Sequence, residues 1–136
     1  MSVYTNIQIA LDTQLNTITG SPSIAWPNTE FTPTHGTLYL EPILLPIVSE
    51  LETLNDYQRF AGIYQINVSV PVEKGTSVLN LWIDRVHDLF ISDRTLTGGA
   101  DTIMIQNIQR GPTQRDTDDD VEYYRTNIDI NFIVYT

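Results

Sequence analysis

The chain contains no cysteine, which excludes disulfide frameworks, thiolate zinc sites and cysteine nucleophiles from the outset. It is also poor in positive charge. Seven Lys and Arg stand against seventeen Asp and Glu, a formal net charge of −10, and all but one of the seven bases are arginine. Proteins that grip nucleic acid neutralise phosphates with Lys and Arg, so a chain this acidic repels DNA over most of its surface. No apolar run nears the ~20 residues of a bilayer-crossing helix, so no membrane association is expected. The opening residues lack the basic and apolar regions of an export signal, and nothing in the sequence directs export. None of the HExxH, GxSxG or GxxxxGK[ST] patterns of zinc proteases, serine hydrolases or nucleotide-binding loops occurs.

What is present suffices for one soluble domain spanning residues 1–136: 41% of residues are hydrophobic and 18% charged, without internal repeats or low-complexity tracts. The first segment has helical spacing. Tyr4, Ile7, Leu11, Leu15 and Ile18 fall three and four apart, Val3 and Ala10 widen the stripe, Ser2 can cap its start, and Gly20 and Pro22 stop it. Residues 21–46 form a proline-rich arm, with Pro22, Pro27, Pro33, Pro42 and Pro46 confining any strand to short, edge or bulged pieces. Residues 37–45 are the best strand in it, and residues 49–56 read as a polar connection.

Two stretches alternate over a long span. Phe60, Gly62, Tyr64, Ile66, Val68 and Val70 share one face, as do Tyr124, Thr126, Ile128, Ile130, Phe132 and Val134 near the C-terminus. Tyr123, Arg125, Asn127, Asp129 and Asn131 take the opposite face of the second strand. Between these strands, Leu79, Trp82, Ile83, Val86, Leu89 and Phe90 mark a second helix, capped by Thr76 or Ser77. Gly98-Gly99 turns into a short strand at 102–108, and Gly111-Pro112 opens a polar, acidic loop over 111–122. The order predicts an α+β class: a mixed or antiparallel sheet with two helices packed on one face.

No constellation points to catalysis or to a bound metal or cofactor. His35 and His87 sit in unlike contexts, without the three or four converging ligands of a metal site or the ordered base of a triad. Asp116, Asp118 and Asp120 alternate like the first ligands of a calcium loop, but Val121 stands where the loop needs Gly and Asn127 where it needs a bidentate Glu. With Asp119 and Glu122 beside them, these acids read as a solvated, mutually repelling loop. Trp26-Pro27 with Phe31 lies in an irregular segment with few apolar neighbours. Either Trp26 plugs one end of the core, or the arm packs against a neighbouring subunit, where Trp is a favoured anchor.

The residues of the arm, and of the long strand and helix after it, carry a resemblance. Ala25-Trp26-Pro27-Asn28, then Phe31 and Pro33, Tyr39-Leu40 and Leu44-Leu45-Pro46, resembles the start of small phage tail terminator proteins. Gly62, Tyr64-Gln65-Ile66, Val68, a loop ending in Gly75 and a helix closing on Phe90 are similar to that family's middle. The loop reads Val72-Glu73-Lys74 where shorter, glycine-richer versions are expected, and the last third carries no matching motif.

The resemblance implies a structural virion protein, not an enzyme, with a fold shared by tail-tube and head–tail joining proteins. It implies a homo-hexameric ring at the head-proximal end of the tail of a long-tailed flexible phage. Such a ring is assembled in the host cytoplasm, ends tube growth and offers a docking surface for the head. Its partners would be further copies of itself, the tail-tube protein and a head-completion or connector protein. DNA would pass through an acidic bore without specific binding. Trp26, Pro27, Phe31 and Tyr39 are the expected subunit contacts, and Asp116, Asp118, Asp119, Asp120 and Glu122 the expected channel or ring-face residues. The alternatives are another head–tail connector ring or a tail-tube protein and, from a different class, a non-viral ligand-binding domain or small hydrolase.

Overall fold

Two strands long enough to span the whole sheet form its centre. In the computed structural model these are β4 (Gln58–Pro71) and β8 (Val121–Tyr135), paired antiparallel from Arg59 opposite Tyr135 to Pro71 opposite Tyr123. The register sets like against like: Tyr64 faces Ile130 and Ile66 faces Ile128, so the two apolar rows merge into one surface. The structure describes residues 3–20, 22–27, 31, 37–45, 48–51, 58–92, 95–98, 101–118 and 121–135.

Each central strand is flanked by a broken one. Beside β4 run β2 (Tyr39–Leu44) and β3 (Val48–Leu51), both antiparallel to it, with the Leu45 N–H donating to the Ile63 carbonyl at the break. Beside β8 run β6 (Asp101–Arg110) and β7 (Gln114–Asp118), also antiparallel. Pro112, which has no N–H to offer a ladder, sits in the β6–β7 gap. There the Thr126 hydroxyl donates to the Gly111 and Pro112 carbonyls at 3.0 and 3.2 Å, satisfying groups the ladder has released. The sheet ends on β5 (Thr95–Gly98), antiparallel to β6, and on β1 (Ser23–Ile24), the one parallel partner among the described strands, beside β2.

Both helices, α1 (Val3–Leu15) and α2 (Thr76–Ser92), join the same core cluster as the apolar rows of β4 and β8, so the class is α+β with a mixed sheet. Ile7, Leu11 and Leu15 on α1 are fully buried, as are Leu79, Val86 and Phe90 on α2. Each such side chain contributes roughly 1.5–3 kcal/mol, which offsets the weak helix propensity of Thr5, Asn6, Asp12 and Thr13 in α1. No described helix is long and apolar enough to cross a membrane, which says nothing of a strand-built barrel.

Several expectations are corrected. Tyr4, expected in the buried stripe, is 49% exposed, its ring in a T-shaped pair with that of Phe60 at 5.6 Å between centroids. Asn6 is buried in its place because its Nδ2 donates to Asp101 Oδ2 at 2.8 Å, tying α1 to β6. α1 ends at Leu15, before the Gly20 stop. The chain unwinds through turns at 16–18, and Gly20 takes its left-handed φ of 100° beneath Trp82 and Arg85 of α2. Residues 49–51, read as the start of a polar connection, belong to β3; residues 95–97, unassigned, and Gly98, read as a turn, form β5. Ser2 and His35 lie outside the described residues. A register shift between Ile105 and Asn107 reverses the parity of β6, so Ile108 rejoins Ile103 and Ile105 against the core.

Candidate interaction site

The acidic segment is not a loop over its whole length. Residues 114–118 are β7, hydrogen-bonded to 121–125 of β8, and arginines lie diagonally across from the acids. Arg125 Nη1 donates to Asp116 Oδ2 at 2.6 Å, and Arg115 Nη2 to Glu122 Oε2 at 2.6 Å. The repulsion read from sequence is therefore relieved for Asp116 and Glu122. Asp118 contributes backbone pairing to Val121, and Asp119 and Asp120 lie outside the described residues. The Glu122 contact also lifts the Arg115 guanidinium above its already high value.

Arg125 links this hairpin to the arm. Besides Asp116 it donates to Ser69 Oγ at 2.9 Å and to the Tyr39 hydroxyl at 2.7 Å. Around that point Ala25, Tyr39 and Tyr123 bury one another in a small second cluster, with Phe31 and Val121 packed on it. The Tyr39 and Tyr123 rings meet edge-on at 5.5 Å, and Phe31 lies 5.3 Å from Tyr39. Tyr123, placed by alternation on the polar face, is thus almost wholly buried because the arm covers it. Sequence reading did not single out Arg125 or Ser69. The available signal was an arginine two places from Tyr123 on a face otherwise built of Asn and Asp. Arg125→Ala should lower stability by about 2 kcal/mol, the scale of a partly buried charged hydrogen-bond donor, and loosen hairpin and arm together. Urea unfolding measures the loss, and faster amide exchange at both Ala25 and Thr117 would show the coupling.

Trp26 points away from that cluster and packs, half-buried, against the main core, while Pro27 is exposed. The Ala25 N–H donates to the Leu40 carbonyl at 2.7 Å, so the arm leaves the edge of β2 just where Trp26 begins. Between Trp26, β2 and Gln8 of α1 lies a cleft of about 640 Å³. A second, of about 380 Å³, runs along Asp12 and Asn16 and shares Gln8, Trp26 and Pro27 with the first. The four arm residues singled out in the sequence therefore divide by role. Phe31 and Tyr39 anchor the arm to the sheet and line the larger cleft, whereas Trp26 and Pro27 line both clefts and form the wall between them.

His87 is partly exposed on α2, with Nδ1 3.4 Å from Asp88 Oδ1. Among the described residues this surface is a patterned edge with strand, aromatic and carboxylate groups. A family model described as phage tail terminator protein matches residues 6–132, nearly the whole chain. The chain belongs to the phage tail terminator family. Membership makes this terminator-family chain a structural component of the phage tail and hence of the virion. A solved structure is similar to it with a TM-score of 0.71 and 23% identity, over 98% of this chain and 96% of its own, which shows the fold. No curated protein matches the terminator sequence.

Proposed function

We propose that this chain caps the tail tube at its head-proximal end as a closed ring of six copies, halting tube growth and presenting a surface to a head-completion or connector protein. The family match over residues 6–132 carries the reading, because it runs from α1 through the sheet and the hairpin into β8. A ring needs two different surfaces on each copy that mate head to tail and close. The sheet supplies two unlike margins: β1 with β2 and β3 at one side, β5 at the other.

The charge fits a bore that conducts DNA without holding it. Each copy carries −10, and the β7–β8 hairpin concentrates acids in Asp116, Asp118, Asp119, Asp120 and Glu122. Asp116 and Glu122 are tied to arginines, so Asp118, Asp119 and Asp120 are the acids to test for a ring-face or channel role. Their joint replacement by Asn leaves ring assembly intact and lowers infectivity if they serve the bore. Normal particles from that variant would remove the hairpin from this role.

Light scattering tests the assembly. The expected mass is about six times the 15.4 kDa of the chain, with single or paired rings by electron microscopy. Long stacked tubes would make the chain a tube subunit instead, and a strict monomer in the presence of tube protein would end the ring proposal.

A further inference from the structure

The paired clefts beside Trp26 have a chemistry that closure of a ring leaves unassigned. Their common wall is aromatic and apolar, formed by Trp26 and Pro27, with Ile43 and Leu44 of β2 opposite. Glu41, exposed, marks one end and Asp12 the other. Among the described lining residues there is no Lys, Arg or His.

One side of the cleft is also a strand edge. β1 pairs with β2 only at Tyr39 and Leu40, so Glu41–Leu44 has no outer neighbour among the described strands. The backbone parity is defined by two bonds. The Leu40 carbonyl points outward to Ala25, and the Leu45 N–H points inward to Ile63. Pro42 and Leu44 therefore share the outward orientation of Leu40. Pro42 has no N–H, which leaves the Pro42 carbonyl and both backbone groups of Leu44 to receive an incoming strand. An edge that pairs backbone while adjacent pockets take side chains is the arrangement by which extended peptides add to sheets.

We propose that this cleft receives an extended segment bearing Arg or Lys between apolar residues, supplied by a partner protein and not by another copy of this chain. Carboxylates at both ends, with no cation among the described lining residues, select positive side chains, and Trp26 offers a ring face for a guanidinium to lie on. A second copy is a poor source. It carries a net charge of −10 and only seven bases, and four of them are engaged: Arg115 and Arg125 hold Glu122 and Asp116, Arg85 lies 4.7 Å over the Trp82 ring, and Arg110 bonds Thr113. The proposal deepens the terminator reading, on which it rests for the idea that the partner is a neighbouring virion protein.

The test uses the full-length chain and two fluorescein-labelled peptides, Ile-Arg-Val-Arg-Ile and its counterpart with Glu in place of Arg, followed by anisotropy. The arginine peptide should bind and quench Trp26, and the glutamate peptide should bind at least tenfold more weakly. Glu41→Lys should weaken the arginine peptide about tenfold, whereas Asp84→Lys, the same charge change on the exposed side of α2, should not. Equal binding of both peptides, or equal effects of the two variants, overturns the proposal. So does an oligomer that dissociates on Glu41→Lys, since the cleft would then hold a copy. A chain that forms no rings yet binds the arginine peptide overturns the ring and keeps the cleft, and rings that ignore the peptide do the reverse.

Discussion

Gly98→Ala is expected to lower the thermal midpoint by roughly 10 °C, the equivalent of about 3 kcal/mol in a chain of this length. A methyl group at this position would sit 2.1 Å from the Asn6 carbonyl oxygen and 2.8 Å from its carbon. These are helix backbone atoms, which cannot rotate aside as a side chain can. α1 must therefore lift from β5, and lifting it strains the buried Asn6–Asp101 hydrogen bond of 2.8 Å and the packing of Ile7 and Leu11. Ala10 Cβ is the third neighbour at 3.2 Å, so Ala10→Gly in the same chain should restore little. Circular dichroism melting of both variants decides it. A shift under 3 °C, or rescue by Ala10→Gly, would mean that α1 does not seat against Gly98.

Tyr64 joins three elements, and its replacement by alanine should cost about 4 kcal/mol, the scale for removing a buried aromatic ring. It is 1% exposed on β4, its ring lies 6.1 Å from that of Phe90 on α2, and its hydroxyl donates to Asp12 Oδ1 of α1 at 2.5 Å. Tyr64→Phe keeps the ring and removes one charge-assisted bond, so it should cost only about 1–2 kcal/mol. Both variants also differ from the parent in pH dependence, since neither carries the phenol. Burial first, then the Asp12 hydrogen bond and charge, push the Tyr64 phenol far above its ordinary 10.0. The stability this gives is complete below the unfolded value and is lost as pH rises past it, by about 1.4 kcal/mol per unit. Tyr64→Phe lacks that component, so its stability should fall less between pH 10 and 11.5. Burial likewise raises the Asp12 carboxyl from its usual 3.8, which has the same sign. Stability from this group is present in acid and lost as pH rises through the raised value, and Asp12→Asn should flatten that limb. Urea titrations across both ranges read all three variants, and parallel curves for Tyr64→Phe and the parent would sink the assignment.

The candidate surface was legible in part. Trp26, Pro27, Phe31 and Tyr39 stood out because aromatic residues in a proline-punctuated stretch lack local apolar neighbours to bury them. Their different roles were not legible, since these depend on what lies across the sheet: Tyr39 meets Tyr123 and Arg125 from more than eighty positions away. The acids of 114–122 looked mutually repelling for the same reason. Local spacing shows like charges side by side and cannot show that Arg115 and Arg125 will lie diagonally opposite them.

The family likeness rested on particular residues of the arm and of the strand and helix after it. Periodicity along the chain was enough for the two helices, the two long strands and the α+β class, because each depends on near neighbours and on which face a side chain takes. It could not supply β3, β5 or β7, whose residues are too few and too polar to show alternation and which become strands only because β4, β6 and β8 offer open backbone edges. Nor could it supply the cleft. Trp26, Glu41 and Asp12 come within reach of one another only when the arm is hung on β2 and α1 is laid against the sheet, a matter of long-range pairing and not of local preference.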